Sequence, residues 1–146
     1  MLTCLEVPMS VEDLLYAVDV DVDVRTIGKT TSQDVDTWRA RFRTGVWPFL
    51  LSREGGFSDA VTDAGGPTKY GVTWRTLRDI WQKSSSWCGA RTLPYVHPDS
   101  TEDAARDAIK RLTEDQAFAV AFVWYYARPR IAQLPAPWDL ACLDWR

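Results

Sequence analysis

The chain has one histidine (His97), three cysteines (Cys4, Cys88, Cys142) and two methionines among its 146 residues. An odd cysteine count without a CxxC spacing gives neither a disulfide framework nor a structural zinc site. A zinc hydrolase normally shows at least two histidine ligands. A Ser-His or Cys-His enzyme would have to use His97, nine residues after Cys88 in a proline-flanked loop. No metal and no cofactor is implied, and carboxylates remain as the groups for hydrolytic chemistry. No apolar run reaches the roughly 18 residues of a membrane-spanning helix. The first ten residues, MLTCLEVPMS, lack the basic and apolar regions of a signal peptide. There is no internal repeat and no low-complexity tract.

What is present is the composition of one globular domain: 46% hydrophobic and 25% charged residues, which excludes a disordered tail. A net charge of −3 argues against a dedicated nucleic-acid binder. The charge is uneven. Residues 1–37 carry eight acids against Arg25 and Lys29, a net −6, and residues 38–146 carry 15 bases and 12 acids, a net +3. A mildly basic body suits a polyanionic partner such as a bacterial cell wall.

Residues 1–37 read as an appendage. Val-Asp alternation over residues 18–24 predicts an exposed strand with one apolar face, blunted as an edge by its aspartates. A calcium loop is the weaker reading, because period-two spacing splays the carboxylates; a docking arm for another protein is the stronger one. Helical spacing begins at Thr37, with Trp38, Phe42, Val46, Phe49 and Leu50 on one face and Asp36 or Thr37 as N-cap. Pro48 either kinks this helix or opens a second one running to Glu54, and Gly55-Gly56 ends it. Five glycines and Pro67 within residues 55–72 predict a turn-rich segment or small hairpin. Thr73 caps a helix bearing Leu77, Ile80 and Trp81, and a long loop follows. Thr101 with Ala104, or Ser100 with Asp103, opens a helix with Ala105, Ala108, Ile109 and Leu112 inward. Thr113 to Gln116 form a capping box before AFAVAFVWYYA, which is apolar nearly all round and so central. A last helix starts at Trp138. The fold class is mainly α, a helical bundle with a small Gly-rich hairpin insertion after a helix that ends in glutamate.

That glutamate, Glu54, sits beside the negative end of its helix dipole and behind an aromatic- and leucine-rich segment, and both features favour the neutral acid. A protonated carboxyl is what a glycosidase uses on the leaving oxygen of a sugar, while an ionised partner directs water or steadies the transition state. Asp63 faces Glu54 across a cleft in this reading, and the Thr68 hydroxyl holds the same water. The residues alone also fit a plainer account, since Glu-Gly-Gly is a common helix end and Asp-x-Gly-Gly a common turn.

Taken together, EGGFSDAVTDAGGPTKYGVT resembles the signature of the glycoside hydrolase family 108 N-acetylmuramidases, lysozyme-like enzymes of bacteria and phages: EGG, an aromatic residue, a short variable stretch, then DxGGxTxxGI. Every fixed position but the last matches, where Val72 replaces Ile. RLTEDQAFAVAFVWYYARPR and LPAPWDLACLDWR resemble later parts of that family, so the likeness covers about residues 45–146. It implies an α+β lysozyme-like fold that cleaves the β-1,4 bond between N-acetylmuramic acid and N-acetylglucosamine in peptidoglycan, with Glu54 as the catalytic glutamate. The Glu54, Asp63, Thr68 spacing is similar to the Glu, Asp, Thr arrangement of phage lysozymes, one residue shorter between the last two. By that likeness Asp63 and Thr68 position the attacking water and the product is inverted.

Lys69 is a candidate for a peptidoglycan carboxylate, and Tyr70 and Trp74 are candidates for stacking on sugar. Trp38, Trp81 and Trp124 fall on apolar helical faces and read as core. Two departures from the family shape the expectation for the whole chain: relatives continue well beyond the LPxxxDLAxxD segment and lack the acidic head. Residues 38–146 are therefore expected to be a muramidase domain shortened at its C-terminus, with residues 1–37 joining it to virion or tail proteins. Without an export signal, delivery to the wall or periplasm would be through a holin-type pore or on a particle. The competing readings are a virion component that keeps the shape and hydrolyses nothing alone, and a lytic transglycosylase, which also needs one glutamate.

Overall fold

The computed structural model describes residues 32–59, 66–83, 93–97, 99–127 and 131–144. The Val-Asp alternation and Asp63 lie outside them, as do Cys4 and Cys88. The first helix, α1, spans Ser32–Arg41 and runs without interruption into a π-helical turn, Phe42–Val46, and then α2, Trp47–Glu54. Helix α1 thus starts four residues before Asp36 and five before Thr37, the expected caps, so both lie inside it; Thr37 Oγ1 donates back to the Gln33 carbonyl at 2.8 Å. The boundary expected at residue 37 falls within α1, where Val35 is buried in the core.

Pro48 explains the π turn. A proline inside an α-helix drives its ring into the carbonyl four residues back. Here Trp47 N–H reaches back five residues to the Phe42 carbonyl, which widens the turn just ahead of Pro48, and Pro48 occupies the first turn of α2. Both readings of Pro48 hold in part: a second helix starts there, and the chain stays helical through it.

Three short strands follow, β1 (Phe57–Ser58), β2 (Thr68–Lys69) and β3 (Val72–Thr73), antiparallel in that order. Lys69 pairs with Val72, leaving Tyr70-Gly71 as a two-residue turn. Both turn residues have positive φ, 53° and 75°, as a type I′ hairpin requires. Thr73 then caps α3 (Trp74–Lys83), its Oγ1 accepting from Thr76 N–H at 3.1 Å. Helix α4 (Glu102–Arg111) is capped by Thr101, and α5 (Glu114–Val120) opens with the full Thr113/Gln116 capping box. The apolar run leaves α geometry at Ala121 and continues as a π-helical segment to Ala127. A 3-10 turn at Ile131–Gln133 leads to α6, Trp138–Asp144.

The core forms where the Phe42 turn meets this central helix. Phe42 is fully buried and lies edge-on to Phe118 and Phe122, with ring centroids 5.4 and 5.6 Å away. Trp47 stands perpendicular to Phe118 at 5.4 Å. Burial of such an aromatic residue is worth about 3–5 kcal/mol by truncation. From the other side come Leu77 and Ile80 of α3 and Ala105, Ala108 and Ile109 of α4, as their periodicity predicts, joined by Leu93 and Val96 from the long loop.

A polar cluster sits inside this apolar interior. Asp139 of α6 is 2% exposed and Tyr126 is fully buried. The Tyr126 hydroxyl donates to Asp139 Oδ2 at 2.7 Å and accepts from Arg41 Nε at 2.8 Å, and Arg41 Nε also lies 3.1 Å from Asp139 Oδ2. Arg41 Nη2 donates to the Ala132 carbonyl, and Leu140 N–H closes on Asp139 Oδ1. Burial and the neighbouring carboxylate push the Tyr126 phenol up to about 12. The cluster joins α1, the central helix and α6.

Candidate active site

Glu54 is the last residue of α2. Gly55 turns the chain out of the helix at φ 40°, while its N–H still bonds the Leu51 carbonyl at 3.1 Å. The hairpin comes back to this helix end: Tyr70 N–H donates to the Gly55 carbonyl at 3.3 Å. Gly71 then lies against the glutamate, where a Cβ would stand 3.3 Å from Glu54 Cγ. Glycine at 71 is needed twice, for its φ and for this approach.

Glu54 opens onto a cavity of about 400 Å³, a size that suits a small sugar ligand. Helix α2 supplies Phe49, Leu50 and Arg53 along with Glu54; the hairpin turn supplies Tyr70 and Gly71. The central helix adds Ala121 and Tyr125, and α6 adds Leu143. Among these described residues Glu54 is the one acid and Arg53 the one base, set in a wall that is otherwise apolar or aromatic. The Arg53 guanidinium is stacked 5.0 Å from the Phe49 ring centre. Glu54 itself is exposed, so the shielding expected from the apolar segment before it is absent.

The other candidates from the sequence fall in different places. Tyr70 lines the cavity with Glu54. Thr68 sits in β2, half-buried, paired with Ser58 and Thr73, and is not among the described residues of the wall. Lys69 points to α4, where Nζ donates to the Lys110 carbonyl at 2.7 Å and stands 5.4 Å from the Tyr70 ring centre. Trp74 lies in the core and is not among the described residues of the wall. It is 6% exposed, flanked by the Arg75 and Arg78 guanidinium groups at 5.3 and 4.9 Å, and Gly66 abuts its indole nitrogen. Its spacing to Leu77 and Trp81 puts it on the apolar face of α3, and that face decides its direction. Trp38 and Trp124 are half-buried against the core, as read, while Trp81 is half-buried against the loop, donating to the Pro94 carbonyl at 3.2 Å and standing perpendicular to Tyr95.

Sequence reasoning missed Arg53 and Tyr125 in the wall. Arg53 had one signal, adjacency to Glu54; Tyr125 had only its place in the Trp124-Tyr125-Tyr126 run of the family-like segment, and periodicity gives it no direction because that run is apolar on all faces.

No helix among the described residues is long and apolar enough to cross a membrane. Comparisons with curated proteins and with solved structures give no match. The family model described as Glycosyl hydrolase 108 matches residues 47–146, a stretch that starts with α2 and contains Glu54, the hairpin and every described residue of the cavity wall. The acid at a helix end, the hairpin behind it and the cavity it opens on thus all lie inside the matched segment, and the chain belongs to glycosyl hydrolase family 108.

Proposed function

We propose that the chain is an N-acetylmuramidase that hydrolyses peptidoglycan at the β-1,4 bond between N-acetylmuramic acid and N-acetylglucosamine, with Glu54 as general acid. The observation that carries this reading is the position of Glu54 on the cavity wall, inside the segment that matches the family. Protonated Glu54 gives its proton to the glycosidic oxygen as the bond from C1 to that oxygen breaks, and the leaving sugar departs as an alcohol. Water adds to the oxocarbenium-like C1 from the opposite face and passes its proton to a carboxylate base. Asp63 is that base and the Thr68 hydroxyl steadies the water, which makes the enzyme inverting. The exposure of Glu54 lets solvent return its proton between turnovers.

Tyr70 is the first sugar contact, and Lys69 offers its remaining donors to a carboxylate of the wall polymer. The acidic residues ahead of α1, 1–31 with six acids against Arg25 and Lys29, are the arm that docks the domain onto a larger particle such as a phage tail, which carries it to the wall. The test is loss of turbidity of purified peptidoglycan with this chain and with Glu54→Gln, both checked by circular dichroism. Lysis by the parent alone, with new reducing ends and no anhydro sugar, is the expected result. Equal lysis by the folded variant removes Glu54 as the acid; anhydro products convert the reading to a transglycosylase. No lysis by either folded chain favours a structural particle component.

A further inference from the structure

We infer that Tyr125 is a sugar-binding wall of the Glu54 cavity, its ring held at a set angle by a hydroxyl chain running through Thr76 to Thr73. The inference rests on the peptidoglycan reading above and adds to it the residue that holds the sugar.

Tyr125 lines the cavity and is half-buried. Its hydroxyl shares a hydrogen bond with Thr76 Oγ1 at 2.9 Å, and Thr76 Oγ1 shares another with Thr73 Oγ1 at 3.1 Å. Thr73 Oγ1 also accepts the Thr76 backbone N–H, so the far end of the chain is fixed in the cap of α3. Neither threonine belongs to the described wall of the cavity. The polar end of Tyr125 is therefore engaged behind the wall, and the ring is what the cavity receives. A pyranose presents a face of C–H groups to such a ring, and a ring restrained at both its backbone and its hydroxyl loses little freedom when sugar docks. Ala121, one turn earlier on the same helix and also in the wall, leaves room beside the ring. Tyr125 and Ala121 both lie in the π-helical segment Ala121–Ala127, and π-helical turns recur where a helix aims a side chain into a functional site.

The experiment measures binding without turnover: the 146-residue chain carrying Glu54→Gln is titrated calorimetrically with a tetrasaccharide of alternating N-acetylglucosamine and N-acetylmuramic acid. Tyr125→Ala weakens binding about tenfold. Tyr125→Phe and Thr76→Val, which cut the tie from either end, each weaken it about two- to threefold, and the double variant is no weaker than either single one. In the chain with Glu54 intact, Tyr125→Ala raises KM and leaves kcat within about twofold, a split that a purely structural role would not produce. Circular dichroism confirms folding, and Tyr125→Leu, which keeps apolar volume, replaces the alanine variant if that one does not fold. A folded ring-deleted chain that binds within about twofold of its parent and keeps its KM overturns the inference and leaves the peptidoglycan reading standing. Absence of both tetrasaccharide binding and wall lysis in every chain overturns the two together.

Discussion

Tyr125 and Tyr126 are neighbours on the central helix and do opposite things. Tyr125 has its hydroxyl engaged by Thr76 and its ring on the cavity wall. Tyr126 has no exposed surface, and its hydroxyl sits between Arg41 and Asp139. One side of the helix faces the cavity; the other is locked by a buried ion pair. Substitutions on the first side should change catalysis and leave melting alone, and those on the second should do the reverse.

The largest effect is on the cavity side. Glu54→Gln is expected to lower kcat about 10²- to 10⁴-fold with an unchanged melting curve, because Glu54 is exposed and its loss strands no buried partner. On the locked side, Asp139→Ala is expected to cost about 2–3 kcal/mol in denaturant unfolding, since it leaves the Tyr126 hydroxyl and the Leu140 N–H without their acceptor and Arg41 without its counter-ion. The refolded fraction should keep the parent kcat/KM; a parallel loss of activity would erase the distinction between the two sides. Gly71→Ala sharpens the comparison because it touches both. At φ 75° a side chain costs about 1–2 kcal/mol, and its Cβ presses on Glu54, so both stability and kcat should fall.

The smallest effect is the pH response of Tyr126. Its phenol is neutral in the fold and is raised from its ordinary value to about 12, so its contribution is complete below an unfolded phenol's pKa of about 10. That contribution is lost as pH rises from there through the folded value. Melting of the parent should decline over this alkaline window more steeply than melting of Tyr126→Phe, measured side by side.

The elements of this fold were legible where a short-range signal decided them. The caps at Thr73, Thr101 and Thr113 and the glycine-rich hairpin follow from local bonds, and each is where its residues place it. Glu54 was legible because its neighbours form a long motif. For Trp74 two signals competed: it stands next to that motif along the chain, and its period with Leu77 points inward, where the side chain lies. Tyr125 and the Arg41–Tyr126–Asp139 cluster were not legible. Their partners lie 13 to 98 residues away, and no local pattern marks a side chain as bonded across the fold. The start of α1 was missed because few apolar residues mark its first turn.

The two helices that carry Glu54 and Tyr125 to the cavity each hold a π-helical stretch: Phe42–Val46 ahead of α2 and Ala121–Ala127 around Tyr125. Each such stretch holds one residue more than an α-helical path of the same rise, so everything after it is turned by about 100° about the helix axis. The phase of Glu54, and separately that of the last turn of the central helix, is therefore set by a surplus residue. In a lineage that gained or lost one residue in either stretch, the helices would still pack, yet the acid and the ring would look in other directions. The spacing across these turns is a frame in which the site is written.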